Sequence, residues 1–160
     1  MSKVSVLFVC LGNICRSPLA EGVFRHQVKE MQIEGLFQVD SCGTAAYHIG
    51  ELPDERSVAN AEKNGVAYTH RARQFKTSDF HNFDIILPMD DSNKRDIEAL
   101  MPFDAKAKVF KMRHFDHFDH NADVPDPYYG GADGFQEVFE IVDRSNKGLI
   151  NYLIEVYKLK

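Results

Sequence analysis

The sequence lacks long apolar runs and has no excess of positive charge. Its longest apolar stretches, such as Val4–Cys10 and Ile85–Pro88, are far shorter than the roughly 20 residues that cross a bilayer. A net charge of -5 and a pI near 5.8 disfavour a chain whose main role is to bind nucleic acid or an anionic membrane, because both need an electropositive face. Any anion site must therefore be local.

Cysteine is also scarce, with three residues in 160. An odd, small number does not make a disulfide framework and indicates a reducing compartment. The start, Met1-Ser2-Lys3, leads into a strand-like run without the cleavage pattern of a signal peptide, and the second residue is not the glycine that myristoylation needs. We therefore expect a cytoplasmic location.

The pattern of apolar residues predicts an α/β fold. A chain of 160 residues with 44% apolar content suits one domain over residues 1–160. Apolar β-branched runs alternate with segments of helical period, which is typical of a parallel sheet covered by helices. The expected architecture is a three-layer α/β/α domain with a four-stranded parallel sheet. Strands are predicted at 4–9, 37–42, 83–87 and 108–112, helices at 18–33, 55–64, 91–100 and 135–157, and a long loop at 115–134.

The segment between the first strand and the first helix reads Cys-Leu-Gly-Asn-Ile-Cys-Arg-Ser-Pro, residues 10–18. Ligands bind at the carboxyl ends of strands in open α/β sheets. A helix start adds unpaired N–H groups and a positive dipole end, which favour phosphate, and Pro18 suits the first helical turn. The segment predicts a phosphate-binding loop. It is not that of the nucleotide hydrolases, because no Lys-Ser or Lys-Thr pair follows Gly12 within the loop.

Cys10 and Arg16 give this loop its chemistry. The N–H groups that favour phosphate also stabilise a thiolate at Cys10, which makes it a nucleophile at neutral pH. Arg16, six residues later, can close the loop over the anion and donate a planar fork of hydrogen bonds that lysine cannot reproduce. The alternative is an inert buried thiol at a strand end. The position beside Arg16, Ser17 and a helix start favours the nucleophile.

Residues 9–21, Val-Cys-Leu-Gly-Asn-Ile-Cys-Arg-Ser-Pro-Leu-Ala-Glu, resemble the signature of the low-molecular-weight protein tyrosine phosphatases. The resemblance extends along nearly the whole chain, through Asp40-Ser41, Gly43-Thr44, His70 with Ala72-Arg73-Gln74, Met89-Asp90 with Ser92-Asn93, and Asp126-Pro127-Tyr128-Tyr129. It implies hydrolysis of phosphotyrosine and small aryl phosphates through a cysteinyl-phosphate, without a metal or other cofactor. The expected partners are tyrosine-phosphorylated proteins, with phosphate or other oxyanions in the active site, no nucleic acid and no membrane. A monomer or weak homodimer is expected.

The resemblance assigns roles to individual residues. Asp126, which two prolines flank, is the expected general acid and base. Leu11, Gly12, Asn13, Ile14, Cys15 and Ser17 complete the phosphate-binding loop; Asn13, Ser17, Ser41 and His70 brace it; Leu11, Tyr47, Tyr128 and Tyr129 form the cleft wall. Aromatic walls favour phosphotyrosine over phosphoserine, although the tyrosines could instead be ordinary packing residues. Asp123 and Asp133, in or beside the same loop, are expected to be solvated.

Cys15 is the expected redox partner of the nucleophile. The resemblance implies a reversible Cys10–Cys15 disulfide that protects against overoxidation. The alternative is a small buried thiol.

Two sibling families share the loop. Thioredoxin-coupled arsenate reductases need a later cysteine pair, and no cysteine follows Cys42. Arginine phosphatases tend to carry threonine at the position of Ile14, so this residue favours tyrosine. Cys42 and Pro88 also depart from the residues expected in the family, outside the catalytic set.

A third alternative is metal binding by residues 113–120, in which three histidines and two aspartates recur at steps of three. Zinc sites usually gather ligands from separated segments, whereas a polar His/Asp loop is commoner as solvated surface. No metal is therefore expected, and segment 113–123 has no assigned role. A non-catalytic phosphopeptide-binding module is disfavoured, because Cys10, Arg16 and Asp126 are all present.

Overall fold

A four-stranded, all-parallel sheet forms the centre of the computed structural model, which describes residues 3–128 and 131–159. The strand order is β2-β1-β3-β4. The strands are β1 (Val4–Cys10), β2 (Phe37–Gly43), β3 (Ile85–Pro88) and β4 (Lys108–Val109). The helices are α1 (Arg16–Glu30), α2 (Glu55–Lys63), α3 (Asp79–Asn82), α4 (Asp91–Glu98) and α5 (Ala132–Val156), with 3-10 turns at Glu34–Leu36 and Met112–Phe115.

Helices cover both faces of this sheet. Side chains alternate along a strand, so Val6 and Phe8 of β1 pack with α1, α2 and α5, whereas Leu7 and Val9 pack with α3 and α4 on the other face. Every residue of β1 is buried, which explains its uninterrupted apolar sequence. The three-layer α/β/α prediction is confirmed.

The fourth strand is shorter than predicted. It pairs with β3 only through Lys108 and Val109, and the chain then turns into Met112–Phe115. This turn packs against α5 at Gly148, where an added Cβ would lie 2.2 Å from the carbonyl oxygen of Phe115. A glycine that the sequence pattern marks as a weak point of the helix is thus the position where backbone approaches backbone. The prediction of a strand through residue 112 was wrong, because tertiary packing determines this segment.

The helix bounds differ from the predicted ones by a few residues. α1 begins at Arg16, so Pro18 lies in its first turn, and α5 begins at Ala132 instead of residue 135. The short α3 was not predicted. α2 ends at Lys63, one residue before the predicted end. Gly65, whose φ is 84°, follows it: its N–H donates to the Glu62 carbonyl at 3.0 Å, and the N–H of Val66 donates to the Ala61 carbonyl at 2.9 Å. Among the described residues, no helix is long and apolar enough to cross a membrane.

Candidate active site

The carboxyl ends of three strands meet at one edge of the sheet. Cys10 ends β1, Gly43 ends β2, and Asp90 lies two residues beyond the end of β3. A pocket of about 90 Å³ opens at this edge. It is lined by Cys10, Leu11, Gly12, Ile14, Cys15, Arg16, Tyr47, His48, Asp126 and Tyr128.

The backbone of the loop after Cys10 forms a cradle for an anion. Asn13 adopts the left-handed conformation, with φ 60°, and its N–H donates to Cys10 Sγ at 3.3 Å. In the described part of the chain, the N–H groups of Gly12, Ile14 and Cys15 donate no hydrogen bond. Together with the unpaired N–H groups of the first turn of α1, they form a site of the kind that binds phosphate.

The end of β2 supports this loop closely. Gly43 lies against it, and an added Cβ would be 2.6 Å from the Leu11 carbonyl oxygen. The N–H groups of Thr44 and Ala45 donate to the carbonyls of Cys10 and Leu11 at 2.9 and 3.0 Å. A side chain at Gly43 would therefore displace the loop.

Cys10 lies at the base of the pocket, only 3% exposed. Its Sγ is 2.9 Å from Ser17 Oγ. That oxygen accepts a hydrogen bond from Asn13 Nδ2 at 2.8 Å, so the hydroxyl proton of Ser17 is directed to the sulfur or to the Cys42 carbonyl at 3.3 Å. The hydroxyl is placed to stabilise a thiolate.

The Asn13 side chain uses all its hydrogen-bonding groups. Its Nδ2 donates to Ser17 and to Ser41 Oγ at 3.1 Å, and its Oδ1 accepts from the Arg73 N–H at 3.0 Å. The same oxygen lies 2.8 Å from His70 Nε2, which must donate, because an amide oxygen only accepts. The structure thus joins Asn13, Ser17, Ser41 and His70, the four residues expected to brace the loop.

Behind this network lie two carboxylates that the sequence reasoning missed. Glu21 accepts from Ser41 at 2.8 Å and lies 3.2 Å from His70 Nδ1, and Asp40 is 3.9 Å from the same nitrogen. Within residues 3–128 and 131–159, a single group of three or more histidine, cysteine, aspartate or glutamate side chains lies close enough together to hold a metal ion. Its members are Glu21, Asp40 and His70. Their atoms already bond to neighbouring side chains, which favours a bracing role.

Segment 113–123 does not gather a metal site within the described residues. His114 stacks on Phe110, with ring centroids 4.8 Å apart. Asp116 lies between Arg113 and Arg144, at 2.9 and 2.8 Å. His114 and Asp116 of this repeat therefore serve in packing and in an ion pair, respectively.

Arg16 is 3% exposed and points across the pocket. Its Nη1 donates to Asp90 Oδ2 at 2.7 Å and to the Val124 carbonyl at 3.0 Å, and Nη2 is 3.6 Å from Asp126 Oδ2. Burial on its own would lower the pKa of Arg16, but the charge of Cys10 and the bond to Asp90 outweigh it and raise the pKa. The guanidinium stays charged. The position of Asp90 just beyond a strand end was the signal that could have identified it.

Asp126 lies at the mouth, with a side chain 35% exposed. Its Oδ1 accepts the N–H of Tyr128 at 3.0 Å. Leu11, Tyr47 and Tyr128 line the pocket, and His48, which the sequence did not single out, joins them. Tyr129, also predicted for the wall, lies outside the described residues. Asp123, which we expected to be solvated, accepts from Lys111 at 2.9 Å while remaining half exposed.

All three cysteines are free and buried. Burial raises the pKa of the Cys15 thiol, and the charges of Asp54, Cys10 and Asp126 raise it further. Burial also raises the pKa of Cys42. Cys15 therefore rests as a protonated thiol in the same pocket as Cys10.

Comparisons with known proteins identify the family. The family model described as low molecular weight phosphotyrosine protein phosphatase matches residues 5–158. A relative of that name from Schizosaccharomyces pombe is 47% identical over 149 residues, which are 92% of this chain and 96% of the relative.

Solved structures show the same fold. A protein tyrosine phosphatase from Entamoeba histolytica, solved with Hepes in its active site, gives a TM-score of 0.93 at 38% identity and covers 97% of this chain and 99% of its own. A Drosophila arginine phosphatase gives 0.85 at 28% identity, with 92% and 96% covered. The fold by itself therefore does not choose between phosphotyrosine and phosphoarginine. By the family model and sequence identity, the chain belongs to the low molecular weight phosphotyrosine protein phosphatase family.

Proposed function

We propose that the chain hydrolyses phosphotyrosine in proteins through a cysteinyl-phosphate, with Cys10 as nucleophile, Arg16 binding the phosphate and Asp126 as general acid and base. Family membership makes the chain a phosphoric monoester hydrolase. The observation that supports the proposed roles is one pocket lined by a buried thiol, a buried guanidinium and a partly exposed carboxylate.

In the first step Cys10 Sγ attacks phosphorus. The S–P bond forms while the P–O bond to the tyrosine breaks, and Asp126 gives its proton to the departing phenolate oxygen. The loop N–H groups and Arg16 stabilise the charge on the three other phosphate oxygens. Asp90, which holds Arg16 at 2.7 Å, orients the guanidinium for this contact.

In the second step water attacks the phosphorus of the cysteinyl-phosphate. Asp126, now ionised, takes a proton from the water, the S–P bond breaks, and inorganic phosphate and the Cys10 thiolate are released. The Ser17 hydroxyl, 2.9 Å from the sulfur, stabilises the departing thiolate. Asn13 and His70 keep this hydroxyl in place and act as positioning residues.

The depth of the pocket favours an aryl phosphate. Cys10 is almost fully buried below a rim on which Tyr47 is 72% and Leu11 40% exposed. A phosphotyrosine ring is long enough to pass between Tyr47 and Tyr128 and flat enough to contact both. A phosphoserine side chain is shorter and leaves these walls unused.

The test is hydrolysis of p-nitrophenyl phosphate and a phosphotyrosine peptide in EDTA by the parent, Cys10→Ser and Asp126→Ala. We expect no turnover by Cys10→Ser, and a loss of about 10²–10⁴-fold for Asp126→Ala that is greatest on the poorer leaving group. Asp133→Asn, an exposed carboxylate at the start of α5, is the matched control and should keep the parent rate. An active Cys10→Ser, or an inert folded parent, contradicts the mechanism. Faster turnover of a phosphoarginine peptide would favour the arginine phosphatase alternative.

Three further expectations accompany this function. Peroxide should form a Cys10–Cys15 disulfide that dithiothreitol reverses. If a Cys15→Ser variant recovers its activity in dithiothreitol as fully as the parent, a protective role for this disulfide is contradicted. Cell fractionation tests the cytoplasmic location expected from the cysteine content. Sedimentation tests the expected monomer or weak homodimer.

A further inference from the structure

A second groove, about 700 Å³ in volume, lies beside the catalytic pocket. The two share Ile14, His48 and Tyr128 in their walls. The N–H of Asp54, at the start of α2, donates to the Ile14 carbonyl at 2.8 Å and fixes that end of the helix to the phosphate-binding loop. The groove is therefore continuous with the pocket and begins where the substrate phosphate would enter.

The exposed face of α2 forms one wall of this groove. The lining residues Glu55, Val58, Ala59 and Glu62 follow the spacing i, i+3, i+4 and i+7, which places them on one helix face. Ser57 and Ala61, on the opposite face, are buried. Leu52, 52% exposed, and Pro53 add apolar surface. An apolar floor between two carboxylates suits the stem and the charge of a lysine or arginine side chain.

The charge of the lining is negative. Four carboxylates, Glu51, Asp54, Glu55 and Glu62, lie in the wall against a single arginine, Arg71. Arg56 pairs with Asp54 at 2.9 Å, and His48 lies 3.0 Å from Glu51. Within residues 3–128 and 131–159, no ion pair uses Glu55 or Glu62. These two carboxylates are available to a ligand.

We propose that this groove binds the polypeptide that flanks the phosphotyrosine and selects substrates with a lysine or arginine there. The proposal rests on the proposed function. From Glu55 to Glu62 the helix rises about 10 Å, which about three residues of extended peptide span. The basic side chain therefore belongs within about five residues of the phosphotyrosine, on the side that enters the groove. An acidic residue at the same place is disfavoured, because the carboxylates of α2 repel it.

Matched phosphotyrosine peptides test this inference. Each peptide carries either a lysine or a glutamate two to five residues from the phosphotyrosine, on its N-terminal or its C-terminal side. The parent should favour the lysine peptide about three- to tenfold in kcat/KM, through KM, for one of the two sides. Near 1 M salt, where the screening length is about 3 Å, the preference should fall. Equal values for all peptides overturn the inference, whereas failure to hydrolyse p-nitrophenyl phosphate overturns the proposed function instead.

Two variants locate the effect. The double variant Glu55→Gln with Glu62→Gln should lose the preference for lysine and keep the parent rate on p-nitrophenyl phosphate. Glu155→Gln, an exposed glutamate on α5 outside the groove lining, should keep the preference. A double variant that still favours lysine as strongly as the parent contradicts the assignment to α2. If Glu155→Gln also loses the preference for lysine, the preference is an effect of net charge, and the assignment to α2 is contradicted as well.

Discussion

The phosphate-binding loop, residues 10–17, and the acid loop, residues 116–128, meet at one pocket but are held by different forces. Asn13, Ser17 and Ser41, which hold the first loop directly, are neutral and almost completely buried, and the ionisable His70 and Glu21 lie behind them. The acid loop is held by ion pairs: Asp116 between two arginines, and Asp123 against Lys111. Neutral hydrogen bonds do not titrate near neutral pH, whereas ion pairs respond to pH and salt. Variants of the side chains that hold the first loop should therefore change rate, whereas variants of the ion pairs that hold the second should change stability.

Among the variants that probe this comparison, the largest effect is expected at Arg16, where the two loops touch. Arg16→Lys should lower kcat/KM for p-nitrophenyl phosphate about 10³-fold, because an ammonium group that bonds Asp90 and the Val124 carbonyl cannot also present a planar fork to the phosphate. Inhibition by inorganic phosphate should weaken in parallel. Arg95→Lys, at an exposed position on α4, is the control and should match the parent. A loss below tenfold in Arg16→Lys would show that the loop N–H groups suffice.

A loss of about 10²-fold in kcat is expected for Asn13→Ala, because Ser17 loses the donor that orients its hydroxyl toward Cys10. Alanine is also strained at the φ of 60° at this position. Asn13→Gly removes the amide without that strain and is the matched comparison. If kcat of the glycine variant equals that of the parent, the backbone alone positions the thiolate and the network idea is wrong.

The acid loop should lose about 3 kcal/mol of stability in Asp116→Asn, because this side chain is fully buried between Arg113 and Arg144. Urea unfolding followed by circular dichroism measures this, since the chain has no tryptophan. The exposed Asp119→Asn is the control. Equal unfolding midpoints for parent and Asp116→Asn would contradict the buried ion pair.

The same carboxylate gives the acid loop a pH dependence. Burial alone would raise the pKa of Asp116, but hydrogen bonds from Arg144, the Phe118 N–H and Arg113 lower it to about 2. A lowered pKa contributes stability that is present above the ordinary value of 3.8 and is lost as the pH falls toward 2. The parent should therefore lose about 2 kcal/mol more than Asp116→Asn over that interval. Parallel pH curves for the two proteins would exclude this linkage.

The smallest effect is expected at Lys111, which bridges Asp91 and Asp123 at 3.0 and 2.9 Å. Both carboxylates are at least half exposed, so Lys111→Met should cost less than about 1 kcal/mol and less still in high salt. Burial on its own would lower the pKa of Lys111, but the hydrogen bonds that it donates to Asp123 and Asp91 raise the pKa. The contribution should vanish as the pH rises beyond that raised pKa. A cost that is independent of salt would indicate lost packing instead.

Local sequence is sufficient to predict the first of these loops. The apolar run of β1, the turn into a helix at Arg16 and the position of Cys10 all follow from residues close in the chain. The bracing residues Ser41 and His70 are distant in sequence, and only the resemblance to a known family singled them out. Local reasoning did not find Glu21 or Asp40, because the residues next to a carboxylate in a helix or strand do not indicate which distant side chain it will contact.

The second loop shows which features local sequence leaves unexplained. The His/Asp repeat of residues 113–120 resembled solvated surface and received no role, yet Asp116 is fully buried and accepts hydrogen bonds from Arg144, 28 residues away. Similarly, Gly148 breaks the helical pattern locally but leaves room for Phe115. Both features depend on how α5 packs against the turn at Met112–Phe115, which no window of the sequence contains.

The bond from Arg16 to the Val124 carbonyl joins residues 108 positions apart. During synthesis the nucleophile loop leaves the ribosome early, but its arginine cannot reach this carbonyl until three quarters of the chain has been made. A nascent chain truncated before residue 124 therefore contains Cys10 without its complete phosphate-binding arrangement. The arrangement around Arg16 is therefore complete only after the acid loop has been made.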